Sequence, residues 1–515
     1  METNAVISGI IESALAPFLS EFPPPRTAFD RCEDIMMPAR DGICLATRVF
    51  YPSGKGPFPV ILIRNPYTPV NDNDYMTQGF LLFLLYGYAV VYQNVRGVFD
   101  SQGEWLPFEN ERNDSLDAAR WVAAQPFCDG NIATYGGSYL GHVQWSIADL
   151  APPELKTMYI SVFGGDPYPL FYENGMFKLG TFTLWATQMM DVRNRTNLAG
   201  HDPDSFQKAL DTLPHIEADT RLIDHECGWY RQWITNPDAR AAYWREGFWG
   251  EFAAIAKGAR IPVCLQTGWF DIFLPSAIKT FAELPDRTAR GSRLLIGPWH
   301  HGNAAGGDLT YPDENRHGTF QLRDALDWFD FHLQNKPSAK PAGGITAYAI
   351  GEGAWRTFRG GRIRAAGSRR FFLNADEDGL TLRGNPGGRA GAAEYIYDPS
   401  DPVRSLGGNL ITEYNGGNGL PECSVAQPPP ERVVSVISYV YVLPISANVN
   451  VLIAENVILL LEPAVAFDPV DTVLGGDTAV PSTSIRSTLN ENCPAAIALP
   501  FAAFVPAGVH VPEAE

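Results

Sequence analysis

The sequence is poor in basic residues and has no long apolar run. Its 515 residues include 39 Lys and Arg against 58 Asp and Glu, which gives a formal net charge of −19. This excess of negative charge argues against nucleic acid or an anionic membrane surface as a partner. Because no run of about 18 apolar residues occurs, we predict no membrane span.

The cysteines and the N-terminus exclude further classes of protein. The seven cysteines are scattered, odd in number and form no C-x-x-C pair. This pattern indicates reduced thiols in a cytoplasmic protein, not a disulfide framework or a zinc site. The first residues lack a basic segment, and Glu12 interrupts their apolar stretch, so we predict no secretory signal.

Apolar residues make up 45% of the chain, which is ample for sizeable cores. Short apolar runs bounded by turn residues predict buried strands at 60–63, 88–92, 132–135, 158–162, 263–266 and 294–296. Stripes with helical spacing fall between or after them, at 116–123, 278–282 and 322–333. Strands that alternate with helices predict an α/β fold with a mostly parallel sheet covered on both faces.

Two segments break this rhythm. Residues 165–257 are rich in aromatic residues at helical spacing and predict a helical cap insertion over the mouth of the sheet. The insertion divides the predicted α/β core into two parts, 30–164 and 258–337. From residue 340 short β-like runs alternate with Gly, Pro and Asp, which predicts a C-terminal all-β domain over 340–515.

The segment GGSYLG at 136–141 has the pattern of a nucleophile elbow, since a predicted strand precedes it and a helical pattern follows. Glycines leave room for a sharp turn that lifts the Ser138 hydroxyl above the sheet. The backbone N–H of Tyr139, at the helix start, is then placed to donate to an oxyanion. Leu140 stands where G-x-S-x-G has its second Gly. A simple strand–helix turn with a capping Ser is the alternative.

A nucleophilic serine needs a base that an acid orients, and in this fold the acid precedes the histidine along the chain. Asp271 comes just after one predicted strand, and the pair His300 and His301 comes just after the next. These positions lie at the carboxyl edge of the sheet, so we predict that they form a triad with Ser138. A helix cap for Asp271 and a surface turn for the histidines are the structural alternatives.

Seven motifs follow one another along the chain: MPARDG (37–42), RNPY (64–67), GYAVV (87–91), VRG (95–97), GGSYLG (136–141), GWFD (268–271) and GPWHH (297–301). Together they resemble the cocaine esterase and X-Pro dipeptidyl-peptidase (CocE/NonD) family of serine hydrolases over about 37–358. The resemblance implies an α/β-hydrolase core and a jelly-roll-like C-terminal domain. Asn94 and Phe99 depart from the family pattern, in a loop where only a local effect is expected.

The resemblance also implies roles within the site. The histidine two places after Trp299 is the catalytic one, which selects His301 over His300. Tyr67 of the RNPY motif lines the oxyanion hole beside the Tyr139 N–H, and a phenol donor suits a site where negative charge develops. Packing at a strand end is the alternative for Tyr67. This chemistry needs no metal or organic cofactor.

The resemblance fades after about residue 408. Residues 431–515 contain only two basic side chains, Arg432 and Arg486, and carry no motif of the family. One hypothesis is that this divergent tail is an altered reading frame or a degenerate end. In that case the C-terminal β domain would be incomplete and the fold less stable.

Three functions fit these residues. An enzyme that cleaves a carboxylic ester or amide through an acyl-enzyme uses the predicted triad directly. An X-Pro dipeptidyl-peptidase would also need an anionic group to hold the ammonium of its substrate. An inactive hydrolase-like binding protein with a degenerate C-terminus is the third, and an intact triad argues against it. A small-molecule ester or amide is the expected partner, and whether the chain forms a homo-oligomer stays open.

The residues after Asp271 bear on the substrate. Related alpha-amino acid ester hydrolases place acidic residues there to bind an ammonium, whereas this chain has Ile-Phe-Leu at 272–274. The apolar stretch favours an uncharged acyl group. A carboxylate reaching the pocket from the cap, at Asp166 or Glu173, would favour the peptidase instead. Four aromatic residues of the cap either line this pocket or form helix core: Phe171, Phe177, Phe182 and Trp185.

Overall fold

The computed structural model describes residues 7–9, 15–70, 79–173, 175–190, 203–303, 305, 311, 319–338, 340, 342–359, 369–376, 379–383 and 496–499. They form sheets of ten, three and two strands together with surrounding helices. No helix within these ranges combines the length and the apolar character needed to cross a membrane.

Ten strands build the central sheet. They are β1 (Phe29–Pro38), β2 (Cys44–Pro52), β3 (Phe58–Asn65), β4 (Ala89–Asn94), β5 (Cys128–Gly137), β6 (Leu155–Ser161), β9 (Val263–Phe270), β10 (Arg293–His300), β11 (Gly344–Ala349) and β12 (Ala354–Arg359). The intervening β7 (Tyr172–Glu173) and β8 (Met176–Phe177) form a separate hairpin. The spatial order of the large sheet is β1-β2-β4-β3-β5-β6-β9-β10-β11-β12, and all six apolar runs overlap its strands.

Most of this sheet is parallel. The strands from β4 to β11 in the spatial order run in one direction, and antiparallel pairing occurs only around β1, β2 and β12. Val60 and Leu62 pack into the core on one face, whereas Ile61 and Ile63 pack into the core on the other. Burial on both faces requires continuous apolar runs. The predicted α/β class is therefore confirmed.

Helices cover both faces of the sheet and also form most of the segment between β6 and β9. In chain order they are α1 (Glu111–Ala123), α2 (Tyr139–Trp145), α3 (Pro167–Phe171), α4 (Leu179–Met190), α5 (Pro203–Asp211), α6 (Ala218–Ile223), α7 (Gly228–Thr235), α8 (Ala242–Arg245), α9 (Gly247–Gly258), α10 (Leu274–Ala282), α11 (Asp286–Gly291) and α12 (Thr319–Gln334). Helix α1 packs Leu116 into one core, and α12 packs Leu326 and Phe329 into the other. The three predicted stripes lie within α1, α10 and α12.

Helices α3 to α9 and the β7–β8 hairpin lie in the segment predicted as a cap, between the neighbouring strands β6 and β9. Aromatic rings pack these helices together. The ring centroid of Phe171 lies 4.4 Å from that of Trp233 and 5.4 Å from that of Trp244. These ring contacts stabilise the short helices, which lack the regular apolar stripe of a surface helix. Aromatic side chains can do so because each buries a large area.

The end of the central sheet differs from the sequence prediction. The run 345–350 was expected to open the C-terminal β domain, but β11 pairs with β10, and β12 pairs with β11. The strand itself was predictable, because strand propensity is local, whereas the partner depends on tertiary packing. Beyond it, β13 (Arg369–Asp376), β14 (Gly379–Arg383) and β15 (Ala496–Leu499) form an antiparallel sheet. Most of the divergent tail lies outside the described residues.

Candidate active site

Ser138 lies in the sharp turn between β5 and α2. Its φ of 54° and ψ of −122° fall in a region that residues other than glycine rarely adopt. The backbone N–H of Ser138 donates to the carbonyl of Ser161 on β6 at 3.0 Å. A strained backbone of this kind persists only where its surroundings hold it, and it is common at functional sites.

The glycines beside Ser138 are required for space. A Cβ added to Gly136 would lie 2.5 Å from the Cβ of Leu140, and one added to Gly137 would lie 2.6 Å from a hydroxyl of β6. A Cβ on Gly141 would lie 2.9 Å from Ile160, because α2 crosses β6 at that point. Gly141 therefore lets α2 approach β6 closely, whereas the side chain of Leu140 packs against Gly136.

The structure brings the three predicted triad residues together at the carboxyl ends of β5, β9 and β10. His301 Nε2 lies 3.1 Å from Ser138 Oγ, and His301 Nδ1 lies 2.9 Å from Asp271 Oδ1. Both contacts are within hydrogen-bond range. The arrangement allows the imidazole to accept the serine proton while the carboxylate orients it.

Asp271 is buried and held by groups that the sequence analysis did not identify. Thr267 Oγ1 donates to Asp271 Oδ2 at 2.6 Å, and the backbone N–H of Phe273 donates to Asp271 Oδ1 at 3.2 Å. The ring of Phe273 also contacts His301 edge-on, with centroids 5.2 Å apart. These contacts fix the carboxylate and the imidazole it faces. Thr267 precedes Asp271 by four residues, and no local pattern marks its role.

His300 lies in a different setting from His301. Its Nδ1 accepts a hydrogen bond from the backbone N–H of Gly302 at 2.9 Å. Burial and the neighbouring His301 lower the pKa of His300. Of the two adjacent histidines, His301 is the one that meets both Ser138 and Asp271.

The two residues predicted for the oxyanion hole both line the cavity in front of Ser138. Tyr67 follows β3, and its hydroxyl accepts a hydrogen bond from Trp185 Nε1 in the cap at 3.3 Å. Tyr139 is the first residue of α2, and its ring contacts that of Tyr67 edge-on at 6.4 Å between centroids. Both tyrosines therefore border the cavity that also contains Ser138.

The phenol of Tyr139 is anchored behind the site. Its hydroxyl donates to Glu111 Oε1 at 2.9 Å and accepts from the backbone N–H of Phe108 at 2.9 Å and from Trp105 Nε1 at 3.2 Å. Burial and the charge of Glu111 raise the pKa of Tyr139 well above its usual value, so the phenol stays protonated. Arg64 donates to Glu111 Oε2 at 3.0 Å, which places a buried ion pair next to the Tyr139 hydroxyl.

The cavity in front of Ser138 is mostly apolar. The space in front of Ser138 amounts to about 470 Å³ when the open solvent at its mouth is included. Apart from Ser138 and His301, its lining comprises Tyr67, Phe108, Tyr139, His142, Phe163, Leu170, Thr181, Phe182, Trp185, Ile272 and Phe273. Of the cap aromatics considered from the sequence, Phe182 and Trp185 line the cavity, whereas Phe171 belongs to the cap core.

The charged groups near the cavity are engaged elsewhere. Asp166 forms an ion pair with Lys279, and Glu173 acts electrostatically on Lys178. Lys178 Nζ donates to the carbonyl of Ile272 at 2.9 Å, and loss of hydration lowers its pKa to about 8. Within the described residues no Asp or Glu lines the cavity, and no cluster of three or more His, Cys, Asp or Glu could hold a metal ion.

Comparison with known sequences assigns this site to a family. The sequence profile of the X-Pro dipeptidyl-peptidase (S15 family) matches residues 41–303, which include Ser138, Asp271 and His301. The chain belongs to the S15 family. It is therefore a serine hydrolase, either an esterase or a peptidase, and the resemblance expected from the motifs is confirmed.

Some similar proteins are named as esterases and others as peptidases. This S15 hydrolase is 29% identical to a cocaine esterase from Rhodococcus over 75% of its own length and 70% of the relative. An alpha-amino acid ester hydrolase matches its fold with a TM-score of 0.59 at 22% identity, covering 76% of this chain and 69% of that one. An aminopeptidase from a marine-sediment Thaumarchaeota archaeon gives 0.59 at 21% identity, with 73% of this chain and 66% of that chain covered.

Proposed function

We propose that this serine hydrolase cleaves carboxylic esters, or amides, of uncharged acyl groups. Ser138 Oγ attacks the carbonyl carbon while its proton passes to His301 Nε2. The tetrahedral intermediate then expels the alcohol or amine, which takes that proton and leaves an acyl group on Ser138. A water molecule attacks this acyl-enzyme in the same way and releases the acid. The contacts of His301 at 3.1 and 2.9 Å support these roles.

The observation that carries the proposal is the absence of Asp and Glu from the described lining of the cavity. A protonated amine buried against that lining would lack a partner, which costs several kcal/mol. An uncharged aromatic or alkyl group would instead gain about 25 cal/mol for each Å² of apolar surface buried. The cavity therefore favours neutral acyl groups over amino acids.

Lys178 strengthens this preference. Its ammonium is bonded to the Ile272 carbonyl and lies 5.3 Å from the ring centroid of Phe273, and both residues line the cavity. A second cation in the cavity would be repelled by this charge through a wall of low polarity. The esterase name of the Rhodococcus relative agrees with this preference.

An X-Pro dipeptidyl-peptidase is the second candidate, because the matching family profile carries that description. Such an enzyme must hold the free ammonium of its substrate. Of the two cap carboxylates that the sequence offered for this task, Asp166 forms an ion pair with Lys279, and the charge of Glu173 acts on Lys178. The peptidase proposal therefore needs a different anionic group.

Competition kinetics distinguish the two activities. Methyl benzoate, phenylalanine methyl ester and Gly-Pro anilide are offered to the purified enzyme, and kcat/KM is compared. We expect the neutral ester to be preferred by tenfold or more. The Ser138→Ala variant serves as the background control, since loss of a nucleophile reduces kcat by about 10⁴–10⁶. Faster turnover of the anilide would overturn the esterase proposal in favour of the peptidase.

A further inference from the structure

His142 lies one helical turn after Ser138 and lines the same cavity. Its backbone N–H donates to the Ser138 carbonyl at 3.1 Å, which fixes its position relative to the nucleophile. The residue is only 1% exposed. The reaction of Ser138, His301 and Asp271 does not use this imidazole, although it lines the cavity in which Ser138 reacts.

Aromatic rings hold the imidazole of His142 in place. It stacks on Phe252 with centroids 4.3 Å apart and meets the ring of Phe108 at 4.5 Å and 63°. Burial lowers the pKa of His142 to about 3. The ring is therefore neutral at physiological pH, with one nitrogen that donates and one that accepts.

Neither ring nitrogen of His142 makes a hydrogen bond of normal geometry within the described residues, although the backbone of Phe108 lies near enough to the imidazole to affect its pKa. The Phe108 carbonyl raises the pKa of His142, but by less than burial lowers it. It therefore favours a proton on the ring nitrogen nearer to it. The other nitrogen then carries a lone pair and needs a donor. A buried polar atom left without a partner is costly, so a ligand that brings a donor gains affinity.

We propose that His142 determines acyl specificity by accepting a hydrogen bond from a hydroxyl on the acyl group. This inference rests on the proposed function, because it assigns a neutral acyl group to the cavity. One helical turn separates His142 from Ser138, or about 5.4 Å along the axis. A hydroxyl opposite the carboxyl group of an aromatic acid has a comparable reach, and its ring matches the apolar lining.

The first test compares esters that differ at one group. Methyl 4-hydroxybenzoate and methyl 4-methylbenzoate have nearly the same shape, and release of each free acid is followed by chromatography at pH 7. The 3-substituted pair covers the neighbouring ring position. The ratio of kcat/KM values, hydroxy over methyl, is measured in the wild type and in His142→Phe. Division of one ratio by the other cancels the difference in intrinsic reactivity.

We expect the wild-type ratio to exceed the His142→Phe ratio by about tenfold for one of the two pairs. His142→Gln, which keeps a donor and an acceptor, should retain part of the preference. Leu170→Val is the matched control, since it changes the lining without removing a polar atom or a ring packed on His142, and it should leave the ratio unaltered. Thermal unfolding of each variant verifies that it is folded.

A second measurement does not require ester turnover. Arylboronic acids bind a serine hydrolase when boron accepts the electron pair of the serine oxygen, and their ring then occupies the place of the acyl ring. The inhibition constants of 4-hydroxyphenylboronic and 4-methylphenylboronic acid should differ by about tenfold more in the wild type than in His142→Phe. The Ser138→Ala variant should bind neither compound measurably.

The two proposals fail in different ways. If the boronic acids discriminate through His142 but the anilide is the better substrate, the esterase proposal is wrong and the role of His142 stands. If esters are preferred but the wild type and His142→Phe give equal ratios in both measurements, the role of His142 is overturned. Equal ratios would mean that the hydroxyl of the acyl group forms no hydrogen bond with His142.

Discussion

His301 is held at both ring nitrogens, one by Ser138 and one by Asp271. Its neighbour His300 has the same chemistry, but the backbone of Gly302 occupies its Nδ1. Only a residue held on both sides keeps the tautomer that a general base needs, with a proton on the nitrogen facing the carboxylate. The two adjacent histidines should therefore differ sharply in their importance.

His301→Ala should reduce kcat by about 10⁴–10⁶, comparable to Ser138→Ala, because the two residues act as a unit. His300→Ala is the matched control and should change kcat little. Steady-state kinetics on a neutral ester measure both, and thermal unfolding verifies the fold. An inactive His300→Ala beside an active His301→Ala would reverse the assignment of the base.

Among single residues, those that stand in a local sequence pattern were predictable. Ser138 follows a strand within a glycine-rich turn, and Asp271 follows the next suitable strand. The choice between His300 and His301 needed the family resemblance, because both are adjacent to the same strand end. Thr267 and Glu111 were missed, since a hydrogen bond through space to Asp271 or Tyr139 leaves no spacing signal.

Among the elements of the fold, α1 and α2 meet at the Tyr139 hydroxyl. Tyr139 begins α2, Glu111 begins α1, and Phe108 contributes its N–H from the segment before α1. Phe108 itself has a φ of 75°, which is strained for a non-glycine residue. These contacts hold the first turn of α2, and with it the backbone N–H predicted to face the oxyanion.

Tyr139→Phe should lower kcat by about ten- to a hundredfold with little change in KM, because a small displacement of an oxyanion donor weakens transition-state binding selectively. It should also reduce the free energy of unfolding by about 1–3 kcal/mol, since Glu111 loses a donor. Kinetics on a neutral ester and urea unfolding measure the two effects.

Ser115→Ala provides the control for that experiment. Ser115 Oγ accepts from Arg64 in the same buried network and donates to the Val143 carbonyl, but the structure gives it no bond to Tyr139. The variant should lose stability without a matching loss of kcat. If Tyr139→Phe also keeps its full kcat, the helix alone positions the N–H and the phenol has only a structural role.

For the whole molecule, a buried charge network ties α12 to the central sheet. Asp324 on α12 pairs with Arg293 on β10 and with Lys340, and Tyr159 on β6 donates to it at 2.9 Å. Burial raises the pKa of Asp324, but the charges of Arg293 and Lys340 outweigh it, so the pKa is lowered. The sheet was predictable from its apolar runs, whereas this network joins residues that are distant in sequence.

Asp324→Asn should lower the free energy of unfolding at pH 7 by about 3–5 kcal/mol, because Arg293 keeps a buried charge without its carboxylate. A lowered pKa in the folded state stabilises the protein above the unfolded value of about 3.9, and this stability is lost as the pH falls through the folded value. The difference from wild type should therefore be constant from pH 7 to about pH 5 and shrink in more acidic solution.

Urea unfolding at a series of pH values measures this difference. Asp327→Asn on the same helix is the control, because Asp327 is less buried and accepts a hydrogen bond from Ser338. It should cost little stability at any pH. A difference between Asp324→Asn and wild type that stays the same down to pH 3 would show that Asp324 does not titrate as proposed.

The crowded turn around Ser138 also governs how this enzyme can diversify. A Cβ atom added at Gly136 or Gly137 would lie 2.5 or 2.6 Å from its nearest neighbour. Random substitution at these two positions should therefore give mostly inactive variants. The cap residues Phe182 and Trp185 line the cavity from α4, which carries none of Ser138, Asp271 and His301. Mutations selected for a new substrate should therefore accumulate in the cap and leave the elbow untouched.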